Sequence, residues 1–409
     1  MNGYEALSSF RRYVPKSYYD HIRSLFICFK PSSGGDIDQA TDLSDILSST
    51  TKVESLSLHL IGTPSKRIIP LFKNLSNLKS LHIGNCGDSN RHPLYVTIPS
   101  LNPGVWMLTS SATYRSERLV VSIALEIPLL QELSLERITR SKMHVIELRA
   151  GTIPTVSGDQ YIEDHPIVGS RLSLPSLLGI CTLQRLRIRE THLGDPLWMD
   201  ATCLAPLSAL DLGSPGFSRT TDAAHMETIV RKVAEVYPIN RLAVFTGLGW
   251  HQTNPLDKLR HLEFNAYFPI DSIVETLSKL SDSPIETIVV QYLVDKSLDD
   301  VGYLCESLKN FLNRRVERGS TEFHRQLKKL FIDLVPYNER VPLSSSQLYK
   351  ELGEDQRANL KSLEEFCRKL RLECGVVGVN ASNNCCFSTP GLCDPPHGPL
   401  VQIPSEWRS

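Results

Sequence analysis

The sequence predicts an irregular α/β solenoid: a curved sheet of short parallel strands on the concave side, with helices and loops on the convex side. Three observations point there. A short apolar spacing recurs along most of the chain, the stretches between its copies carry helical periodicity, and the composition is that of a folded protein. Apolar residues make up 41% and charged residues 22%, with 23 Gly and 25 Pro in 409 residues, which excludes disorder over the whole length. Length alone would suggest two or three ordinary domains at roughly 150 residues each. A repeat takes precedence over that division, because a missed period misassigns the whole fold.

The fullest copy is Leu75-x-x-Leu78-x-x-Leu81-x-Ile83-x-x-Cys86, and its apolar spacing returns at Leu204/Leu207/Leu210/Leu212 and Leu256/Leu259/Leu262/Phe264. The shorter core, apolar-x-x-apolar-x-apolar, recurs at Ile22/Leu25/Ile27, Val53/Leu56/Leu58, Leu130/Leu133/Leu135 and Leu183/Leu186/Ile188. It returns at Ile239/Leu242/Val244, Ile285/Ile288/Val290 and Leu327/Leu330/Ile332, and Cys367/Leu370/Leu372 supplies an eleventh copy. Second positions lie 20 to 53 residues apart, six of the ten gaps falling between 20 and 32. The two widest, of 52 and 53 residues, each have room for a degenerate copy or an inserted loop.

The apolar-x-apolar pair is a short strand with one buried face, since alternate side chains point to opposite sides. The apolar residue three positions earlier packs under the incoming turn. Between copies, apolar residues on one helical face predict helices over Asp222–Val236, Asp271–Leu280 and Leu298–Arg318. A single strand–helix unit cannot bury its own apolar face. Stacked units can, as a parallel sheet inside a helical layer.

This spacing resembles leucine-rich repeats of the longer, helix-containing kind, over roughly Ile22 to Val376. Only Cys86 occupies the family's Asn-or-Cys position after the strand pair; Ile61, Ile138, Thr191, Pro215, Gly247, Tyr267, Leu293 and Val335 stand there elsewhere. Those residues are expected not to ladder side-chain hydrogen bonds through the turn, which implies an irregular leucine-rich repeat solenoid. The degenerate copies and mixed lengths look like fungal F-box-associated leucine-rich repeat proteins. That resemblance implies a non-catalytic protein-binding module serving substrate recognition in an F-box-type ubiquitin ligase, with the ligase adaptor as a further partner. Met1–Asp20 has no Leu-Pro-x-Glu start of an F-box, so that module is either absent or lies ahead of this chain. The alternative is a scaffold of the same architecture with no ligase role.

The expected organisation is a cap or remnant segment over 1–20, the solenoid over 21–378, and a flexible tail over 379–409 rich in Pro and Cys. With 44 Lys and Arg against 45 Asp and Glu, no general field attracts nucleic acid or anionic lipid. No signal peptide or apolar run of eighteen residues occurs. The reading is a cytoplasmic or nuclear protein without a nucleic-acid or membrane partner. Its ten cysteines show no short repeated spacing and are expected to be mostly reduced, buried thiols.

No Cys-x-x-Cys, His-Glu-x-x-His, Gly-x-Ser-x-Gly or phosphate-loop motif is present, so no enzyme, cofactor or metal is expected. Gly247-Leu248-Gly249 lacks a third glycine and reads as a loop. Cys385, Cys386, Cys393 and His397 sit among prolines and read as an ordinary tail.

On such a fold the strand residues between and beside the buried pair line the concave surface. They are Glu132, Ser134 and Glu136; Arg185, Arg187 and Arg189; Ala209, Asp211 and Gly213; Arg241, Ala243 and Phe245; and His261, Glu263 and Asn265. Of these, Glu132, Glu136, Arg185, Arg187, Arg189, Asp211, Arg241, Phe245, His261 and Glu263 form the candidate partner-binding footprint. The three arginines point the same way, roughly 6.5–7 Å apart along one strand. They either pair across to Asp211 and nearby Glu residues, or take a carboxylate-rich or phosphorylated peptide through forked hydrogen bonds.

Overall fold

A computed structural model describes residues 4–28, 39–59, 68–84, 94–97, 105–109, 116–136, 138, 144–147, 155–156, 173–189, 191, 193, 197–212, 220–245, 247, 256–266, 268–294, 301–317, 325–336 and 345–377. The chain divides into two units, Met1–Lys258 and Leu259–Ser409.

In the first unit seven strands form one parallel sheet: β1 (Ser24–Cys28), β2 (Ser55–His59), β3 (Ser80–Gly84), β6 (Glu132–Glu136), β9 (Arg185–Arg189), β10 (Ala209–Leu212) and β11 (Arg241–Val244), neighbours in that order. Four more strands, β4 (Leu94–Thr97), β5 (Val105–Thr109), β7 (His144–Glu147) and β8 (Thr155–Val156), make a separate antiparallel sheet. The second unit holds four parallel strands: β12 (His261–Phe264), β13 (Thr287–Val294), β14 (Lys329–Pro336) and β15 (Glu373–Val376). Parallel strands taken in sequence order, with helices or loops between them, make each unit an α/β solenoid.

Register follows the apolar spacing. Leu25, Leu56, Leu81, Leu133, Leu186, Leu210 and Leu242 are direct cross-strand partners in succession. In the second unit Leu262, Ile288, Leu330 and Cys374 do the same. These side chains are buried, apart from the half-buried Cys374, as are the preceding turn residues Val53, Leu78, Leu130, Leu183, Leu207 and Ile239. Each such Leu contributes about 1.5–3 kcal/mol through burial. Leu204 is the departure: 49% exposed, it continues the sequence spacing without joining the core.

A main-chain device joins the copies. At eight steps one carbonyl just before a strand accepts from two consecutive N–H groups of the next copy. Arg23 takes those of Glu54 and Ser55, Glu54 those of Lys79 and Ser80, Lys79 those of Gln131 and Glu132, and Gln131 those of Gln184 and Arg185. Gln184 and Ser208 continue the series, and Arg260 and Glu286 repeat it in the second unit, at 2.7–3.2 Å throughout. A carbonyl has two lone pairs, so both bonds are made in full.

Predicted helices over Asp222–Val236, Asp271–Leu280 and Leu298–Arg318 appear as Thr220–Val236, Ile270–Lys279 and Val301–Glu317. Neighbouring connections touch in sequence. The helix Gln39–Ser49 meets Ile69–Lys73, which meets Ser116–Glu126, which meets the 3-10 turn Leu174–Gly179. At the N-terminal side the helix Tyr4–Tyr13 packs on Gln39–Ser49 through Arg11 and Asp45, 2.6 Å apart. Its Phe10 stacks on Tyr19, ring centroids 5.2 Å apart. The two widest gaps carry the antiparallel sheet: β4 and β5 come from one, β7 and β8 from the other, and β5 pairs with β7. They are insertions, not degenerate copies.

Two expectations are corrected. The eleventh strand is Glu373–Val376, with Cys374 and Val376 at the paired positions; Cys367 lies in the helix Glu354–Lys369, and Leu370 follows that helix as its C-cap. Cys367 continues the helical stripe of Leu360 and Leu363, whose spacing of three to four mimics the repeat's first step. That helix stops at Arg371, φ 58°, in a Schellman arrangement: Leu372 N–H donates to the Cys367 carbonyl and Arg371 N–H to that of Arg368, at 2.9 and 3.0 Å. The second correction is Thr191. The residues at the Asn-or-Cys position were expected to form no side-chain ladder, yet buried Thr191 Oγ1 accepts from the N–H of Ile138, its equivalent one copy earlier, at 3.0 Å. It also donates to the Arg189 carbonyl at 2.9 Å. A hydroxyl is donor and acceptor at once, so Thr can do what Ile cannot. Cys86 and the tail beyond Val377 lie outside the described residues.

Candidate binding face

On β9 the sequence Arg-Leu-Arg-Ile-Arg turns Leu186 and Ile188 into the core, which puts Arg185, Arg187 and Arg189 on the other face. Parallel register sets Glu132, Ser134 and Glu136 of β6 beside them, and Asp211 of β10 directly opposite Arg187. Arg185 forms an ion pair with Glu132 and is 53% exposed at its side chain. Burial, followed by the nearby Arg241, lowers the Arg185 guanidinium from its ordinary value.

Arg187 and Arg189 converge on one acceptor. Their Nε atoms lie 3.1 and 2.8 Å from Asp211 Oδ2. The Asp211 side chain is wholly buried, while the two arginines keep 20% and 19% of their side chains exposed. Asp211 Oδ1 has no hydrogen-bond partner among the described residues. An ion removed from water is tolerated where opposite charges and hydrogen bonds offset the lost hydration. Here two guanidiniums do so for one carboxylate.

The footprint predicted from sequence is partly brought together. Glu132 with Arg185, and Asp211 with Arg187 and Arg189, form the paired cluster; Glu136 is partly buried in register with Arg189. Phe245 is 1% exposed, a core residue following β11. In the second unit His261 and Glu263 are buried on β12, and Gln291 Nε2 donates to Glu263 Oε1 at 2.6 Å, with Asp333 Oδ2 at 3.5 Å.

Sequence reasoning stopped the footprint at β6 and missed the polar row that continues it. Phe26, Ser57, His82, Ser134, Arg187 and Asp211 occupy one register position across six strands. The middle residue of the apolar-x-apolar pair marks each of them, so the same rule applied to every copy finds them. His82 Nδ1 lies 2.9 Å from Ser134 Oγ. Burial, then His59 and Arg187, pushes the His82 imidazole down to about 3. A ring that weakly basic stays neutral near pH 7, so the contact with Ser134 is a neutral hydrogen bond joining β3 to β6.

Among the described residues, no group of three or more His, Cys, Asp or Glu side chains is placed to hold a metal ion. No helix among them is long and apolar enough to cross a membrane. Cys181, Cys203, Cys305, Cys367 and Cys374 are free thiols, of which Cys203, Cys305 and Cys367 are buried. The predicted tail residues Cys385, Cys386, Cys393 and His397 lie outside the described residues, as does Gly213. Compared with models of known families and with curated proteins, the chain matches none.

Proposed function

We propose that this chain is a non-catalytic protein-binding solenoid whose β9 face takes an acidic segment of a partner protein. The carrying observation is the Arg187–Asp211–Arg189 cluster: a buried carboxylate fixes two guanidiniums through Nε on one strand face, where the partly exposed Arg187 supports forked hydrogen bonding to an external carboxylate or phosphoryl group. Holding the arginines in place beforehand lowers the ordering cost of binding. Arg185, more exposed, supplies a third cation beside them.

The test is fluorescence anisotropy with a glutamate-rich peptide and a lysine-rich control. Binding of the acidic peptide alone, weakening with salt and falling several-fold in Arg185→Gln and in Arg187→Lys, is expected. Arg187→Lys keeps the charge but loses the fork. Affinity unchanged in both variants overturns the reading.

The resemblance of the repeat pattern to F-box-associated proteins extends this reading to substrate recognition in ubiquitin ligation, in the cytoplasm or nucleus. A scaffold with no ligase role is the alternative. Affinity purification with mass spectrometry separates them: recovery of the ligase adaptor favours the first, and its absence among recovered partners the second.

A further inference from the structure

We propose that the acidic segment taken by the β9 face lies along β9 in an extended conformation and carries its acidic residues at every second position. The proposal rests on the acidic-partner reading of that face and specifies the form of the partner. Leu186 and Ile188 turn into the core, so Arg185, Arg187 and Arg189 stand in line on the opposite face, roughly 6.5–7 Å from one to the next. An extended ligand has the same repeat, because its side chains at i, i+2 and i+4 share one face with that separation. A Glu-x-Glu-x-Glu segment thus sets one carboxylate over each arginine along the five residues of the strand.

The charges beside β9 set the direction. Glu132, Ser134 and Glu136 of β6 stand in register with Arg185, Arg187 and Arg189 on one side, and Asp211 of β10 stands opposite Arg187 on the other. Neighbouring strands are about 4.7–4.9 Å apart. A segment crossing the strands would carry its carboxylates onto Glu132, Glu136 or Asp211, where like charges oppose one another. Along β9 they meet guanidiniums instead, and the acids on both flanks hold them to that line. The in-chain pairs leave the arginines within reach: Arg185 keeps 53% of its side chain exposed, Arg187 20% and Arg189 19%. Arg185 is the most open, and its register partner on the β10 side is Ala209, a methyl group with no charge to repel a carboxylate. The ligand should therefore depend most on that end of the strand.

The test measures fluorescence anisotropy with the full chain and three labelled serine peptides of equal length and equal glutamate content. Their glutamates stand at alternate positions, in one consecutive run, or at every fourth position as on one face of a helix. The alternating peptide should bind about 5-fold tighter than the consecutive one, the effect of one or two further solvent-screened ion pairs. Arg185→Gln should erase that preference. Glu132→Gln, which removes a flanking charge and keeps the shape, should narrow it by raising affinity for the consecutive peptide more than for the alternating one. Equal affinity of the wild-type chain for the alternating and consecutive peptides overturns the alignment and leaves the acidic-partner reading standing. Tightest binding of the every-fourth peptide also overturns it, in favour of a helical ligand. Binding of none of the three overturns both.

Discussion

Asp211 Oδ2 lies 2.8 Å from the Nε of Arg189 on the neighbouring strand, with none of the Asp211 side chain exposed. The asymmetry of that pair decides what its loss does. An arginine that is one-fifth exposed can turn to water, but the buried carboxylate cannot. Arg187→Ala/Arg189→Ala should therefore destabilise by about 3–5 kcal/mol, the cost of stranding a buried charge. Adding Asp211→Asn should recover much of it. Urea denaturation of the cycle measures the coupling; no recovery would mean that the carboxylate finds another partner.

Thr191 fastens two copies through one hydroxyl. Thr191→Val keeps the shape and orphans the buried N–H of Ile138, at a cost of about 1–3 kcal/mol. Thr191→Ser should cost clearly less. Equal losses in the two variants would assign the effect to packing.

The pH dependence of stability should bear the mark of His82. Its folded imidazole is pushed down to about 3, from an ordinary 6.5, by burial, His59 and Arg187. Between those values the unfolded chain binds the extra proton, so stability present above pH 6.5 is lost as pH falls and levels off near 3. Carboxylates titrate in the lower part of that window. The informative quantity is thus the difference between wild type and His82→Asn in denaturant melts from pH 7.5 to 4.5. A constant difference would contradict the assigned cause.

Arg371 occupies the left-handed position that ends the helix Glu354–Lys369. A non-glycine residue there costs about 1–2 kcal/mol, and Gly adds unfolded-chain entropy worth about 0.5–1 kcal/mol in the opposite sense. Arg371→Gly should thus stabilise by a small margin, read as a raised melting temperature, whereas Arg371→Val should lower it.

Leu210 and Leu204 share one sequence motif but not one environment. Leu210→Ala should cost about 2–5 kcal/mol; Leu204→Ala, at an exposed site, should stay within about 0.5 kcal/mol. Similar losses at both would refute the strand register.

The strands were legible because an apolar pair flanking one polar residue reports a half-buried strand directly, and ten of the eleven copies sit where that spacing puts them. The last copy was misread because the helix stop at Arg371 has no glycine to announce it, so Leu370 and Leu372 passed for a strand pair. Arginine–carboxylate pairing on the β9 face was also open to sequence reading, since Arg187 and Asp211 share a register position. The burial of Asp211 was not, because depth depends on everything packed around a strand. Nor was the approach of His59 to His82: it comes from one step of the stack, with no short motif for a linear reading to catch.

The doubled carbonyl at eight strand entrances uses backbone atoms alone. No side chain is needed to latch one copy to the last, so the turns are free to drift in sequence and the intervals between latches to stretch. A chain fastened this way can acquire a whole extra sheet in mid-course, as it has between β3 and β6 and between β6 and β9, without any rung of the stack giving way.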